Sequence, residues 1–266
     1  MANIALDSAA SGLKALNTRL DVISNNLANV NTVGFKSSRA NFQDLLYIER
    51  AQPGVENPDG GEKPTGLYVG LGVKVSGTQQ NFETGSPIQT DQPYDLYIRG
   101  DGFFQVQVED SLGEFAYTRA GNFTLNSEGV LVLATDIGRP LVPQIQIDPD
   151  AVSVSVSPDG RVMQVMPGNE IEEVGQIEIA TFVNNAGLKP IGENLFVETE
   201  ASGVPNNGAP QTERRGALLQ GVLEASNVDP SRELIELIRT QRAFEMNSQT
   251  IRAADQALQT VSQLRR

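Results

Sequence analysis

A strict seven-residue repeat of apolar side chains runs through both ends of the chain, and few folds accommodate it. Leu6, Leu13, Leu20 and Leu27 share one heptad position, and Ala9, Leu16, Ile23 and Val30 follow three residues after each. This is the seam of a helix that pairs with another helix. Near the other end, after a cap-and-proline start at Asp229 and Pro230, Leu237, Phe244, Ile251 and Leu258 repeat every seven residues, accompanied by Thr240, Asn247, Ala254 and Val261. Two separate amphipathic helices lying on a globular core would tolerate a looser 3.6-residue pattern and charged outer faces. The repeat predicts that the first and last helices pair with each other.

Between them the code changes to period two. Leu67, Val69, Leu71, Val73 and Val75 alternate. So do Leu96 and Ile98, then Phe104, Val106 and Val108, then Phe123 and Leu125, then Ile145 and Ile147, then Val152, Val154 and Val156 before the turn residues 157–160. Further strands are expected at 176–183 and 194–198. Short strands separated by Gly, Pro and Asn turns predict an all-β domain of sandwich or open-barrel kind. Residues 51–66 hold three prolines and four glycines and read as an extended loop. The expected class is therefore α+β: paired N- and C-terminal coiled-coil-like helices, an inserted all-β domain and a Pro/Gly-rich extended loop. The expected boundaries are 1–35 with 224–266 for the helical domain, 36–75 for a connecting segment carrying the loop, and 76–223 for the β domain.

Catalysis finds little support. The chain has no Cys and no His, which removes disulfides, thiolate metal sites, thiol nucleophiles and the commonest general base. Gly66, Gly70 and Gly72 sit in an alternating strand, without the helix a dinucleotide fingerprint needs after it, and Gly100–Asp101–Gly102 reads as a tight turn. Asp148 and Asp150 flank a proline without the spacing of a calcium loop, and Glu172–Glu173 reads as a solvated edge. No enzyme, no cofactor and no metal site is expected.

Net charge is −13, and it is unevenly placed. Residues 1–50 hold five basic and four acidic side chains and residues 224–266 six of each, so the middle carries nine basic against twenty-three acidic. An acidic middle without a basic stripe argues against nucleic acid and anionic membrane as partners. No apolar run is long enough to span a bilayer, so no membrane insertion is expected. The first twenty residues lack both a basic leader and an apolar core, so neither a signal peptide nor a transit peptide is expected.

One stretch breaks the rule that exposed helix faces carry charge. Asn25, Asn26, Asn29 and Asn31 fall within seven residues at the end of the first helix, on outer and flanking heptad positions. A helix end explains Asn31 and Gly34, which tolerate a left-handed turn. Asn25, Asn26 and Asn29 need another reason. A helix surrounded on several sides would have to desolvate each charge at a cost of several kcal/mol, whereas asparagine hydrogen-bonds across a packed contact without that penalty. The pattern predicts that the helical pair packs against copies of itself.

The same residues carry a resemblance. Residues 25–36 (NNLANVNTVGFK), 40–47 (ANFQDLLY), 95–106 (DLYIRGDGFFQV), 117–131 (YTRAGNFTLNSEGVL) and 225–251 (ASNVDPSRELIELIRTQRAFEMNSQTI) resemble the bacterial flagellar basal-body rod and hook family over nearly the whole chain. The resemblance implies a structural axial subunit of the distal rod, with a proximal rod or hook subunit as the alternative. It implies a hollow helical homopolymer that carries torque from motor to hook and forms part of the export channel. Its expected partners are itself, the proximal rod proteins, the hook protein, the ring bushing around the rod and the flagellar type III export apparatus. The expected place is the extracytoplasmic rod of the basal body, within the periplasm of Gram-negative cells. The residues expected to serve self-assembly are Leu6, Leu13, Leu16, Leu20, Ile23, Asn25, Asn26, Leu27, Asn29, Asn31, Gly34, Phe35, Leu237, Phe244, Ile251 and Leu258. Pro53, Gly54, Pro58 and Pro64 are expected to shape a loop that touches neighbouring subunits.

Overall fold

A computed structural model describes residues 2–54, 65–108 and 114–264. Two helices, α1 (Ala2–Ala28) and α2 (Pro230–Leu264), stand at the two ends, and every extended segment lies between them. The start of α2 follows from its sequence: Asp229 Oδ1 accepts from the backbone N–H of Ser231 at 2.9 Å and of Arg232 at 3.3 Å, and Pro230 takes the first helical position, where its missing N–H costs nothing.

The chain divides into two compact units. The first gathers Met1–Leu27, Ser38–Gln79 and Asp229–Arg266; the second gathers Ala28–Ser37 and Gln80–Val228. This differs from the boundaries expected from the sequence. Residues 38–79 group with the helices instead of forming a separate connector, and 28–37 group with the β-rich unit.

In the helical unit, Ser38–Asp44 pairs with Val73–Gln80, and Tyr47–Ala51 pairs with Leu67–Gly70 as an antiparallel hairpin. The single strand expected from Leu67 to Val75 is thus two strands, broken at Gly72. There φ is +115°, and a Cβ would lie 2.1 Å from Ser11 Oγ, so only glycine fits between strand and helix. Ala51, expected in the loop, is the last residue of a strand, and residues 52–66 join the two strands of the hairpin. Pro53 and Gly54 are exposed; Pro58 and Pro64 lie outside the described residues.

The β-rich unit is built on one antiparallel sheet in the order Lys189–Gly192, Leu195–Val197, Phe115–Thr118, Phe103–Gln107, Ile179–Thr181, Asn206–Gly208, with Leu141–Val142 added to Phe103–Gln107. Adjacent side chains of a strand point to opposite faces, and here both faces are buried. Phe104 packs with Val106, Leu131, Leu133, Leu141, Ile145 and Ile179 on one side. Phe103 packs with Tyr117, Leu188 and Phe196 on the other, where Phe82 and Phe182 join it in edge-to-face contacts at 5.5 and 5.9 Å. A three-stranded sheet, Ser153–Val156, Arg161–Val165 and Ile171–Gln176, carries the expected turn: Gly160 N–H reaches Ser157 O at 2.9 Å. Residues 145–147, expected as a strand, make only an isolated bridge from Gln146 to Val130. Ile145 and Ile147 are buried all the same, because each inserts into the core from an irregular segment.

Candidate functional site

In the helical unit three contacts join α1 to the first half of α2. The Asn247 side chain lies over Gly12, Arg19 Nη2 sits 2.5 Å from Glu236 Oε2, and Asn26 Nδ2 donates to Glu233 Oε1 at 3.2 Å. Rising numbers on α1 meet falling numbers on α2, so the helices run antiparallel. The Arg19–Glu236 pair is partly exposed on both sides and contributes about 0–1 kcal/mol. On a further side of α1, Ser11 Oγ accepts from Val73 N–H at 3.2 Å while donating to Ser8 O at 2.8 Å.

Asn26 anchors this arrangement. It is buried, its Oδ1 accepts from Ser38 N–H at 2.9 Å, and its Nδ2 donates to Ser38 O at 2.8 Å. A single amide thus pairs both backbone groups of the residue that opens the first strand, as another strand would, and reaches α2 as well. The asparagine expected to face other copies is spent inside its own chain. Burial pushes the Glu233 carboxyl above its ordinary value; the Asn26 hydrogen bond acts the other way, Glu236 adds to the rise, and Arg19 and Arg232 oppose it. Around this point lies a cleft of about 250 Å³ bordered by Arg19, Ile23, Asn26, Phe42, Glu233 and Glu236.

The remaining predicted positions divide by exposure. Ile23 is buried; Leu6, Leu13, Leu16, Leu20 and Leu27 on α1, and Leu237, Phe244 and Ile251 on α2, are half-buried; Leu258 is exposed. Asn25 and Asn31 are exposed and Asn29 is half-buried, its Oδ1 accepting from Thr32 Oγ1 at 3.2 Å. Gly34 and Phe35 do not belong to the helical unit. Gly34 has φ +69°, and a Cβ there would come within 2.5 Å of Ala120 N, so its glycine serves a close backbone approach in the β-rich unit rather than a helix end.

Two exposed apolar sets were not singled out by the heptad. On α2, Leu234, Ile235, Ile238 and Met246 are 46–61% exposed. They lie off the seam, which is the signal that marks them: apolar residues on positions that should meet water. On the hairpin and the turn before it, Leu46, Tyr47, Leu67 and Tyr68 are 51–82% exposed. A two-stranded ribbon has no second layer on which to bury them. Among the described residues no group of three or more acidic side chains is placed to hold a metal ion, and no helix is long and apolar enough to cross a membrane.

Three family profiles match. Residues 6–36 match "Flagella basal body rod protein", residues 97–164 "Flagellar hook protein FlgE/F/G D1 domain" and residues 219–264 "Flagellar basal body rod FlgEFG protein C-terminal". The chain is similar to the flagellar basal-body rod protein FlgG of Caulobacter vibrioides, 48% identical over 98% of this chain and 99% of the relative. It is 41% identical to FlgG of Bacillus subtilis, with 98% of each chain covered. Against the flagellar basal-body rod protein FlgF of Caulobacter vibrioides, identity is 38% over 86% of this chain and 84% of the relative.

Proposed function

The chain belongs to the bacterial flagellar basal-body rod and hook family, and from that premise we propose how it works. It is a structural subunit of the basal-body rod, in its distal part, and it assembles with copies of itself and with other rod and hook components. In one organism the FlgG relative is both more alike and more fully covered than the FlgF relative, and this favours the distal over the proximal rod.

The polymer is a hollow helical tube. Its terminal helices pair as a short coiled coil and pack against those of neighbouring copies around the export channel, while the acidic β-rich unit faces outward. The observation that carries this reading is the apolar surface that α2 leaves uncovered at Leu234, Ile235, Ile238 and Met246, beside a seam that is only half-buried. Monomeric domains seldom leave such residues in water, and a second helix surface is their natural cover. Leu6, Leu13, Leu16, Leu20, Leu27, Asn25, Asn29, Asn31, Leu237, Phe244, Ile251 and Leu258 line the contacts between copies. The tube transmits torque through the periplasm to the hook, inside the ring bushing where one is present. Subunits reach it unfolded through the type III export apparatus. The chain performs no catalysis.

The hairpin and the Pro/Gly-rich residues between its strands, including Pro53, Gly54, Pro58 and Pro64, reach a neighbouring subunit and oppose sliding, which keeps the rod straight. Deleting residues 53–65 is expected to yield more flexible polymers; unchanged bending stiffness by electron microscopy would refute this role. The whole reading is tested by electron microscopy of the purified protein under polymerising conditions. A straight hollow tube is expected, and a protein that stays monomeric at all concentrations speaks against it.

A further inference from the structure

Three segments far apart in the chain meet in one place inside the β-rich unit: residues 34–37, 118–120 and 224–228. Glu224 is buried and holds two cations at once. Its Oε1 lies 2.5 Å from Lys36 Nζ and its Oε2 lies 3.4 Å from Arg119 Nη1. All three side chains are at most 2% exposed. Oε1 also accepts from Gly85 N–H at 2.9 Å, Lys36 Nζ donates to Glu83 O at 2.7 Å, and Arg119 Nη2 donates to Gly100 O at 2.7 Å beneath the Phe103 ring. Beside this cluster Asn227 Oδ1 accepts from Ser37 N–H at 2.8 Å, and its Nδ2 donates to Asn81 O at 2.8 Å and Glu83 O at 3.1 Å. Gly34 N–H reaches Glu224 O at 2.8 Å, and Asn81 N–H reaches Ser37 O at 2.8 Å.

The place of these contacts along the chain gives them meaning. The chain leaves the β-rich unit after Ser37, re-enters at Gln80 and leaves again after Val228. Together with the entry at Ala28 the units share four covalent links; residues 34–37, 81–85 and 224–228 are the roots of three of them, and one carboxylate and one amide bind all three. Burying an unpaired charge costs several kcal/mol, so a cluster with two cations on one anion is stable only when complete.

We propose that Glu224, Lys36, Arg119 and Asn227 form a mechanical tie that spreads force entering the β-rich unit over three chain segments in parallel. Without the tie, force arriving through one link peels a single strand; with it, several hydrogen bonds and two ion pairs must break together. These are positioning residues, and their purpose rests on the torque-carrying role proposed above.

The chain has no Cys, so two introduced cysteines are unique handles for single-molecule pulling on the full-length protein. Handles at Ser24→Cys and Ser231→Cys load the tie through the links at Ala28 and Val228 once the contacts between α1 and α2 have parted, whereas handles at Ser127→Cys and Glu200→Cys load the same unit away from it. Under fixed force, Glu224→Gln is expected to raise the opening rate in the first geometry about a hundredfold, and Asn227→Ala about tenfold, the sizes expected for an unpaired buried charge and for lost hydrogen bonds. The second geometry should change by no more than about threefold, below the roughly fivefold or more that stranding one buried polar group gives. Equal acceleration in both geometries would show ordinary stabilisation and overturn the proposal, as would no change in the first. If Glu224→Gln does not fold, Asn227→Ala, which strands no charge, decides the matter. Failure of the rod reading would appear separately, as absence of the chain from isolated basal bodies, and would leave the pulling result untouched.

Discussion

The β-rich unit and the helical unit solve the burial problem in opposite ways. In the first, Phe103, Phe104, Val106, Leu133, Leu141, Ile177 and Ile179 are fully buried, and the sheet is covered on both faces by its own chain. In the second, the described side chains of both helices together place only Ala9, Ala15, Ile23, Asn26 and Thr240 out of water. Two of those five are polar, and two are alanines that bury little area. By the usual figure of about 25 cal/mol per Å² of apolar surface, such a seam contributes little, while each ordered residue costs about 1–2 kcal/mol of backbone entropy. One unit carries its own stability; the other, in the assembly proposed above, is completed by copies of itself.

The largest effect should come from spoiling the unfinished surface. Leu20→Asp or Leu27→Asp is expected to abolish polymerisation altogether, seen by sedimentation, while the near-ultraviolet spectrum of the β-rich unit is unchanged. Loss of the β-rich fold in either variant would break the division between units. Next in size, Phe104→Ala should cost the β-rich unit about 3–5 kcal/mol in urea unfolding, as truncated core aromatics do, and leave exchange of helical amides as it was. A smaller loss, about 1–3 kcal/mol by the same measurement, is expected of Gly34→Ala, because φ is +69° and the Ala120 backbone occupies the space a methyl would need.

The smallest effect concerns pH. Glu233 is raised by burial, so its protonated form is favoured when α1 and α2 are together. A carboxyl raised in the folded state adds stability below its unfolded value of 4.5, and that contribution is lost as pH rises through the folded value. Acidification from neutral toward that value should therefore increase amide protection of residues 22–26 in the monomer, and Glu233→Gln should remove the increase. A response of the same size in Glu233→Gln would place the titration elsewhere.

The sequence revealed these units unequally, and for physical reasons. The heptads and the Asp229–Pro230 start located both helices, because periodicity and caps are local signals. Alternation found the sheet strands at Leu96, Phe104 and Phe123, but it ran Leu67 and Val75 into one strand. Hydropathy does not register that Gly72 turns the chain against Ser11. It also missed Ser38–Asp44, whose side chains alternate poorly since only partial burial awaits them. Asn26 looked like its neighbours Asn25 and Asn29, and only the approach of Ser38 from twelve residues away makes it internal. Long-range polar contacts of this kind, with the Lys36–Glu224 pair another, leave no periodic trace. The deficit of charge at the helix end was legible, but nothing in it separated the internal Asn26 from Asn25 and Asn29.

The central claim, that the helical unit is finished only by assembly, is most directly tested by hydrogen exchange on the dilute monomer and on the assembled polymer. The account predicts that amides of residues 13–27 and 237–251 exchange fast in the monomer and slow markedly in the polymer, while those of Phe103–Gln107 and Ile179–Thr181 are slow in both. Strong protection of residues 13–27 in the dilute monomer would contradict it.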